Sequence, residues 1–125
     1  MRGFHVLFAE DNFLLNLDIA ESLQEHGFDV EAVYCGAAAY EAIGKSRGLC
    51  ALVTDIDLGV GPNGFDVARR ARAAYPDLPV VFISGEMRGR HLDAGIAGAV
   101  FIPKPLRPAD IARALEQVTH LAAAA

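Results

Sequence analysis

The chain has 125 residues, of which 53% are hydrophobic, and it carries a formal net charge of −5 at pH 7. This length is typical of one domain that can bury its own core without disulfides or structural metal ions. The acidic balance argues against a general nucleic-acid surface, and no apolar run approaches the roughly 18 residues that a membrane span needs. Two acids follow the first few apolar residues, which excludes a signal-peptide hydrophobic region, so we expect a cytoplasmic protein with no membrane contact.

Short apolar strands alternate with helical segments five times along the chain. The predicted strands cover residues 5–9, 28–33, 51–54, 78–83 and 99–102. The predicted helices cover about 13–26, 37–45, 65–75, 88–94 and 108–120, and glycines make the fourth helix the weakest. This order predicts a single parallel sheet with helices on both faces and right-handed crossovers.

The first helix shows the spacing of a single buried face. Leu15, Ile19 and Leu23 lie four residues apart, and we expect Phe13, Leu17 and Ala20 to widen the same face. Gly27 is placed to end this helix in the left-handed conformation.

Polar and charged residues stand where the predicted strands end. They are Glu10 and Asp11 after the first strand, Asp55 and Asp57 at the third, Ser84 after the fourth and Lys104 after the fifth. Parallel strands bring their carboxyl ends to one edge of the sheet, where ligands bind in open α/β folds. Carboxylates so close repel one another unless a cation joins them, and oxygen ligands suit a hard divalent ion such as Mg²⁺. A metal ion held by few carboxylates is typical of phosphoryl transfer.

In these residues and their order, the chain resembles the receiver domains of two-component response regulators, over essentially its whole length of 1–125. Glu10-Asp11 resembles the acidic pair of the family, Asp55 the phosphoacceptor, Ser84 the Ser/Thr position, Phe101 the aromatic switch position and Lys104-Pro105 the Lys-Pro pair. The resemblance implies a flavodoxin-like, doubly wound (βα)5 fold with five parallel strands in the order 2-1-3-4-5.

The resemblance also implies a role for each residue. Asp55 would accept a phosphoryl group from a phosphohistidine of a histidine kinase or phosphotransfer protein. Asp11, Asp55 and the backbone carbonyl of Asp57 would hold Mg²⁺, and Glu10 would reach it through a water molecule. Lys104 would neutralise a phosphoryl oxygen, while Ser84 and Phe101 would switch the surface around the fourth and fifth predicted helices. A cis peptide bond before Pro105 would aim Lys104 inward.

On this interpretation the protein is a signalling domain and not an enzyme with an external substrate, because it would catalyse only its own phosphotransfer and autodephosphorylation. We expect a stand-alone receiver with no direct nucleic-acid contact. Its downstream protein target is not encoded in a recognisable motif. Binding to another protein, return of the phosphate to a phosphotransfer domain and phosphorylation-dependent homodimerisation stay open.

Two other functions compete with this interpretation. Gly59, Gly61 and Gly64 form a G-x-G-x-x-G between a strand and a helix, with Glu86 after the next strand, as in an NAD(P)-dependent oxidoreductase. Asp55 and Asp57 would, however, direct negative charge at the pyrophosphate of the dinucleotide. A Mg²⁺-dependent phosphohydrolase would use Asp55 as its nucleophile, but no insertion that builds a substrate pocket is present in the sequence.

Overall fold

The computed structural model describes residues 3–85 and 95–124. Its five parallel strands form one sheet in the order β2-β1-β3-β4-β5. They are β1 (His5–Ala9), β2 (Asp29–Val33), β3 (Leu49–Asp55), β4 (Val80–Ser84) and β5 (Val100–Pro103). The helices in these ranges are α1 (Phe13–Glu25), α2 (Gly36–Lys45), α3 (Gly64–Ala74) and α4 (Pro108–Ala124). The predicted flavodoxin-like strand order 2-1-3-4-5 is therefore confirmed.

Helix α4 is the fifth helix of the sequence prediction. The fourth predicted helix, at about 88–94, lies outside the described residues. Strand β4 begins two residues later than predicted, directly after Pro79, because proline has no N–H group to donate to the sheet. Within the described ranges, no helix is long and apolar enough to cross a membrane.

The sheet is covered on both faces, which explains why its central strands are apolar at consecutive positions. Helices α1 and α4 pack on one face, with Val53 of β3 among the buried residues there. Helices α2 and α3 pack on the other face, against Leu52 of the same strand. Asp55 ends this strand at the carboxyl edge of the sheet and is 4% exposed.

The predicted buried face of α1 is partly wrong. The buried apolar residues are Ile19, Ala20 and Leu23, as predicted. Phe13 and Leu17, however, are 58% and 46% exposed, and the buried stripe includes Asn16. Leu17 follows Asn16 by one residue and is therefore turned about 100° away from this stripe. Gly27 has a φ of 92° after the helix, so the predicted left-handed ending is confirmed.

The loop after β3 turns back so closely on the strand that it needs glycine at residue 64. The amide of Gly64 donates a hydrogen bond of 2.7 Å to the carbonyl of Ile56. A Cβ atom at residue 64 would overlap the carbonyl oxygen of Asp55 and lie 2.8 Å from the Cα atom of Ile56. Gly36, the first residue of α2, is packed in the same way against the carbonyl oxygen of Pro62. The loop between β3 and α3 is thus packed closely against the end of β3 at Gly64 and against the start of α2 at Pro62.

We expect Gly64→Ala to lower the free energy of unfolding by roughly 1–3 kcal/mol, because the added methyl group forces backbone atoms apart. Urea denaturation of the purified protein measures this change. Gly44→Ala is the matched control, because Gly44 is exposed in α2 and an added Cβ meets nothing within 4 Å. That substitution should stabilise the protein by up to about 1 kcal/mol. Equal effects of the two substitutions would contradict the close approach at Gly64.

Candidate functional site

Three of the carboxylates singled out in the sequence meet at the carboxyl edge of the sheet. Glu10 directly follows β1, Asp11 is the next residue, and Asp55 ends β3. One oxygen atom from each carboxylate lies within 4.8 Å of the others. They converge because β1 and β3 are neighbours in the sheet, with Ala9 paired with Thr54 just before the two strands end.

A single ammonium group faces two of these carboxylates. Nζ of Lys104 donates a 2.7 Å hydrogen bond to Oδ2 of Asp55 and lies 3.3 Å from Oε1 of Glu10. The other oxygen of Asp55, Oδ1, accepts a 3.0 Å hydrogen bond from the backbone amide of Asp57. The peptide bond between Lys104 and Pro105 is cis, as predicted.

Glu10 is fully buried, which is unusual for a carboxylate. Its Oε2 atom accepts a 3.0 Å hydrogen bond from the backbone amide of Asn12. Its Oε1 atom has no partner with hydrogen-bond geometry among residues 3–85 and 95–124, although the ammonium of Lys104 is near. Burial and, to a smaller extent, the charge of Asp55 raise the pKa of Glu10 to about 7, against the lowering effects of Asn12 and Lys104.

Lys104 keeps its positive charge in this setting. Burial lowers the pKa of Lys104, but its hydrogen bond to Asp55 and the charges of Asp55 and Glu10 outweigh burial, so the pKa is raised. Among the residues that the structure describes, three carboxylates face one ammonium, which leaves this part of the site negative. A buried carboxylate oxygen that accepts no hydrogen bond within the described ranges and lies 3.3 Å from one ammonium, beside two further carboxylates, belongs to a donor set that suits a hard divalent cation such as Mg²⁺.

The two remaining acidic positions differ in their placement. Asp11 is exposed but belongs to the carboxylate cluster. The side chain of Asp57 is also exposed and does not belong to the cluster, because its Oδ1 accepts a 3.1 Å hydrogen bond from Gly59 in the loop. Only the backbone carbonyl of Asp57 was predicted as a ligand, so this position of the side chain does not conflict with the prediction.

Ser84 and Phe101 lie on the strands next to the cluster. Ser84 ends β4, and its carbonyl accepts a 2.8 Å hydrogen bond from the backbone amide of Lys104. Phe101 is half-buried in β5 and is paired with Phe82 of β4, with their ring centroids 5.1 Å apart. Phe82 in turn lies 5.0 Å from the ring of Phe65 in the first turn of α3. Three aromatic rings therefore form a row from α3 to β5.

The glycine-rich loop does not form a nucleotide-binding turn. The backbone amides of Asn63 and Asp66 are already bonded to each other's side chains, in a capping box at the start of α3. A dinucleotide phosphate would need free amides at this helix end and would meet the carboxylate of Asp66 instead. Glu86, the acidic residue that this alternative places after the next strand, lies outside the described residues.

Two asparagines contact the acidic pair, and one of them, Asn16, was missed in the sequence analysis. Asn12 caps α1 by accepting a 3.0 Å hydrogen bond from Leu15, and its backbone amide binds Glu10. Asn16 is fully buried and contacts the backbone of Glu10. The available signal for Asn16 was a polar residue three positions before Ile19 and seven before Leu23, within the apolar stripe.

Comparisons with known proteins agree with this geometry. The family model of the response regulator receiver domain matches residues 6–116. The two-component response regulator ORR3 of Oryza sativa subsp. indica is 29% identical over 120 residues, covering 91% of this chain and 89% of that protein. A response regulator receiver protein of Sinorhizobium medicae WSM419 is 33% identical, with a TM-score of 0.87 and 94% of each chain covered.

A more distant solved structure is the receiver domain of the sensor histidine kinase PA1611 from Pseudomonas aeruginosa PAO1. It is 23% identical, with a TM-score of 0.81, and the comparison covers 94% of this chain and 98% of that one. That structure has a magnesium ion coordinated in its active-site cleft. At this identity the similarity supports the fold.

We expect Glu10→Gln to change how the stability of the metal-free protein depends on pH. The pKa of Glu10 is raised from 4.5 to about 7 in the folded protein. Its contribution to stability is therefore complete below pH 4.5 and is lost as the pH rises through 7. Above that pH the Gln variant should be more stable than the wild type by roughly 1–3 kcal/mol, and below pH 4.5 the two should be equal.

Urea denaturation in the presence of a chelator, repeated across this pH range, measures the difference. Glu41→Gln is the control, because Glu41 is exposed and its hydrogen bond to Lys45 lowers its pKa. That variant should show only a small change of the opposite sign. Parallel pH profiles for Glu10→Gln and the wild type would contradict the raised pKa.

Proposed function

Because this chain belongs to the response regulator receiver domain family of two-component signalling, we propose that residues 1–125 form a phosphoacceptor domain with Asp55 as the acceptor. The observation that carries the proposal is the cluster of Glu10, Asp11 and Asp55 at one sheet edge, with Lys104 bonded to Asp55. This arrangement joins a carboxylate nucleophile to a cation that can bind the incoming group.

In the proposed reaction a carboxylate oxygen of Asp55 attacks the phosphorus of a phosphohistidine on a partner protein. The new P–O bond forms an acyl phosphate on Asp55, and the N–P bond breaks with its electron pair leaving on the imidazole. The imidazole leaves as a neutral ring when its other nitrogen carries a proton. Phosphoryl transfer needs little more from the protein than positioning and charge stabilisation, which this site supplies.

Mg²⁺ fits the residues of this site. The side chains of Glu10, Asp11 and Asp55 would hold it, together with the backbone carbonyl of Asp57. When bound, Mg²⁺ would offset the repulsion between the carboxylates and the negative phosphoryl oxygens. The burial of Glu10, whose Oε1 atom accepts no hydrogen bond from the part of the chain that the structure describes, supports this assignment.

The remaining residues would stabilise the acyl phosphate on Asp55 and change conformation when it forms. Lys104 would bind one phosphoryl oxygen in place of the Asp55 carboxylate, as a charge-assisted hydrogen bond. Ser84 would donate a hydrogen bond to another oxygen, and Phe101 would rotate as the end of β4 moves inward. The surface around Ser84, Phe101, the fourth predicted helix and α4 would then have two phosphate-dependent forms.

The partners follow from this chemistry. A histidine kinase or a histidine phosphotransfer protein would supply the phosphoryl group, and a downstream protein would bind the switched surface. The domain would catalyse only its own phosphorylation and dephosphorylation, so it would not turn over an external phosphomonoester. A phosphorylation-dependent homodimer is an alternative assembly for the same surface.

We expect acetyl phosphate with Mg²⁺ to phosphorylate the protein once, and Asp55→Asn to abolish the reaction, because the amide is not a nucleophile. Intact-mass spectrometry measures the incorporated phosphate. Asp77→Asn is the matched control, since Asp77 is exposed before β4 at the opposite edge of the sheet. It should be labelled like the wild type. Labelling that survives in Asp55→Asn would show that another residue is the acceptor.

The competing functions can be separated with the same protein. A Mg²⁺-dependent phosphohydrolase would release phosphate repeatedly from a chromogenic phosphomonoester, whereas the proposed receiver should lose its single label slowly. An oxidoreductase would bind NAD(H), which a fluorescence titration detects. We expect neither turnover nor binding.

A further prediction concerns the proposed conformational change at Ser84 and Phe101. In the wild type, phosphorylation should shift the backbone amide resonances of Phe101 and the first turns of α4 in NMR spectra. Ser84→Ala should still accept the phosphate but lose most of this shift, because the serine hydroxyl no longer binds the phosphoryl oxygen. Ser46→Ala, after α2 at the opposite edge, is the control and should keep the full shift. Full shifts in Ser84→Ala would contradict the role of its hydroxyl.

A further inference from the structure

Asn16 is a buried polar residue in an otherwise apolar stripe of α1. It is fully buried, like the neighbouring stripe residues Ile19 and Leu23. An apolar side chain at this position would pack against the sheet without needing hydrogen bonds, and leucine also favours helices more than asparagine does. Packing therefore does not explain the presence of an amide here.

The amide of Asn16 joins three elements of the structure. Its Nδ2 atom donates hydrogen bonds of 3.0 Å to the carbonyl of Glu10 and of 3.0 Å to the carbonyl of Val33. The backbone amide of Glu10 donates a 3.1 Å hydrogen bond to the same carbonyl of Val33. Both side-chain contacts are with carbonyl oxygens, so the nitrogen of the amide must face them. The end of β1, the end of β2 and the second turn of α1 are thus held at one point.

The oxygen atom of this amide differs from the nitrogen in its hydrogen bonding. Oδ1 of Asn16 is buried and has no hydrogen-bond partner among the residues that the structure describes. A buried acceptor without a partner destabilises the folded state. The hydrogen bonds that Asn16 makes with described residues all come from Nδ2, so the contribution of its side chain lies in the two carbonyls that it holds.

One of these carbonyls belongs to the peptide unit that joins Glu10 to Asp11. The orientation of that unit sets the directions in which the two carboxylates leave the backbone. We propose that Asn16 is a positioning residue for the acidic pair, and that its amide fixes the Glu10–Asp11 peptide so that both carboxylates face Asp55. This inference rests on the proposed function, because it assigns Asn16 to the binding of Mg²⁺ at the same site.

Groups that orient metal ligands typically change metal affinity by 10- to 100-fold when they are removed. Asn16→Leu should weaken Mg²⁺ binding about tenfold, as measured by NMR titration without a phosphodonor. With a chelator present, its urea midpoint should fall, because the buried carbonyl of Glu10 loses the hydrogen bond from Asn16. The Mg²⁺ concentration for half-maximal labelling by acetyl phosphate should rise by the same factor, while the rate at saturating Mg²⁺ stays within about twofold.

Leu23→Ala is the matched control, because Leu23 lies in the same buried stripe, seven residues further along α1 than Asn16. It should lower the urea midpoint and leave the Mg²⁺ affinity unchanged. Asn16→Ser provides a second, smaller substitution if Asn16→Leu does not fold, and it should also weaken Mg²⁺ binding.

An unchanged Mg²⁺ affinity in the Asn16 variants would overturn the inference, as would an equal loss of affinity in Leu23→Ala. Either result leaves the labelling of Asp55 in the wild type untouched. Failure of the proposed function would instead appear as a wild-type protein that acetyl phosphate does not label on Asp55.

Discussion

The repulsion among three carboxylates at one edge of the sheet is the constraint on which the rest of this site depends. Glu10 and Asp55 are both buried, and water therefore screens their charges poorly. Lys104 offsets part of the repulsion from the far side of β4, with its ammonium between the two groups. The strand order makes this possible. It places β1 beside β3, and it places β5 close enough to β3 for the side chain of Lys104, which follows β5, to reach Asp55.

The residues around the cluster hold it in place through the backbone. The amide of Asp57 binds Asp55, the amide of Asn12 binds Glu10, and the side-chain amide of Asn16 binds the peptide unit between the acids. Gly64 allows the following loop to lie directly against the carbonyl of Asp55. The carboxylates of Glu10 and Asp55 are thus oriented before any ligand arrives, which lowers the cost of ordering them when one binds.

The sequence was sufficient to predict the strands and the residues at their ends, because these follow from apolar runs and from the parallel geometry of the sheet. The order of the strands was predicted from the resemblance to receiver domains. The sequence was insufficient to predict which residues of the first helix are buried. Phe13 and Leu17 have the apolar character of core residues, yet both are exposed, while the polar Asn16 is buried. Periodicity locates a buried face only to within about one residue. Here hydrogen bonds to strand ends, which are contacts distant in sequence, determined which residue lies inside.

The glycine-rich loop shows a second limit of sequence patterns. Its spacing matches a dinucleotide-binding turn, but its glycines serve the backbone geometry of the loop. Gly59 and Gly61 have φ values of 77° and 97°, in the left-handed region, and Gly64 lies against β3. The capping box of Asn63 and Asp66 occupies the helix end that a phosphate would need. The chemistry of the neighbouring side chains therefore separates the two functions where the glycine spacing does not.

The two hydrogen bonds on the Asp55 carboxylate also bear on which reagents this residue accepts. One oxygen is bound by a backbone amide and the other by the ammonium of Lys104. When a neutral electrophile forms a bond to the oxygen of Asp55 that Lys104 binds, the ammonium of Lys104 loses its negatively charged partner and gains no other. A reagent that carries its own anionic oxygens replaces the lost partner as it reacts. If Asp55 is the acceptor as proposed, its ion pair with Lys104 would favour anionic donors over neutral acylating or alkylating compounds.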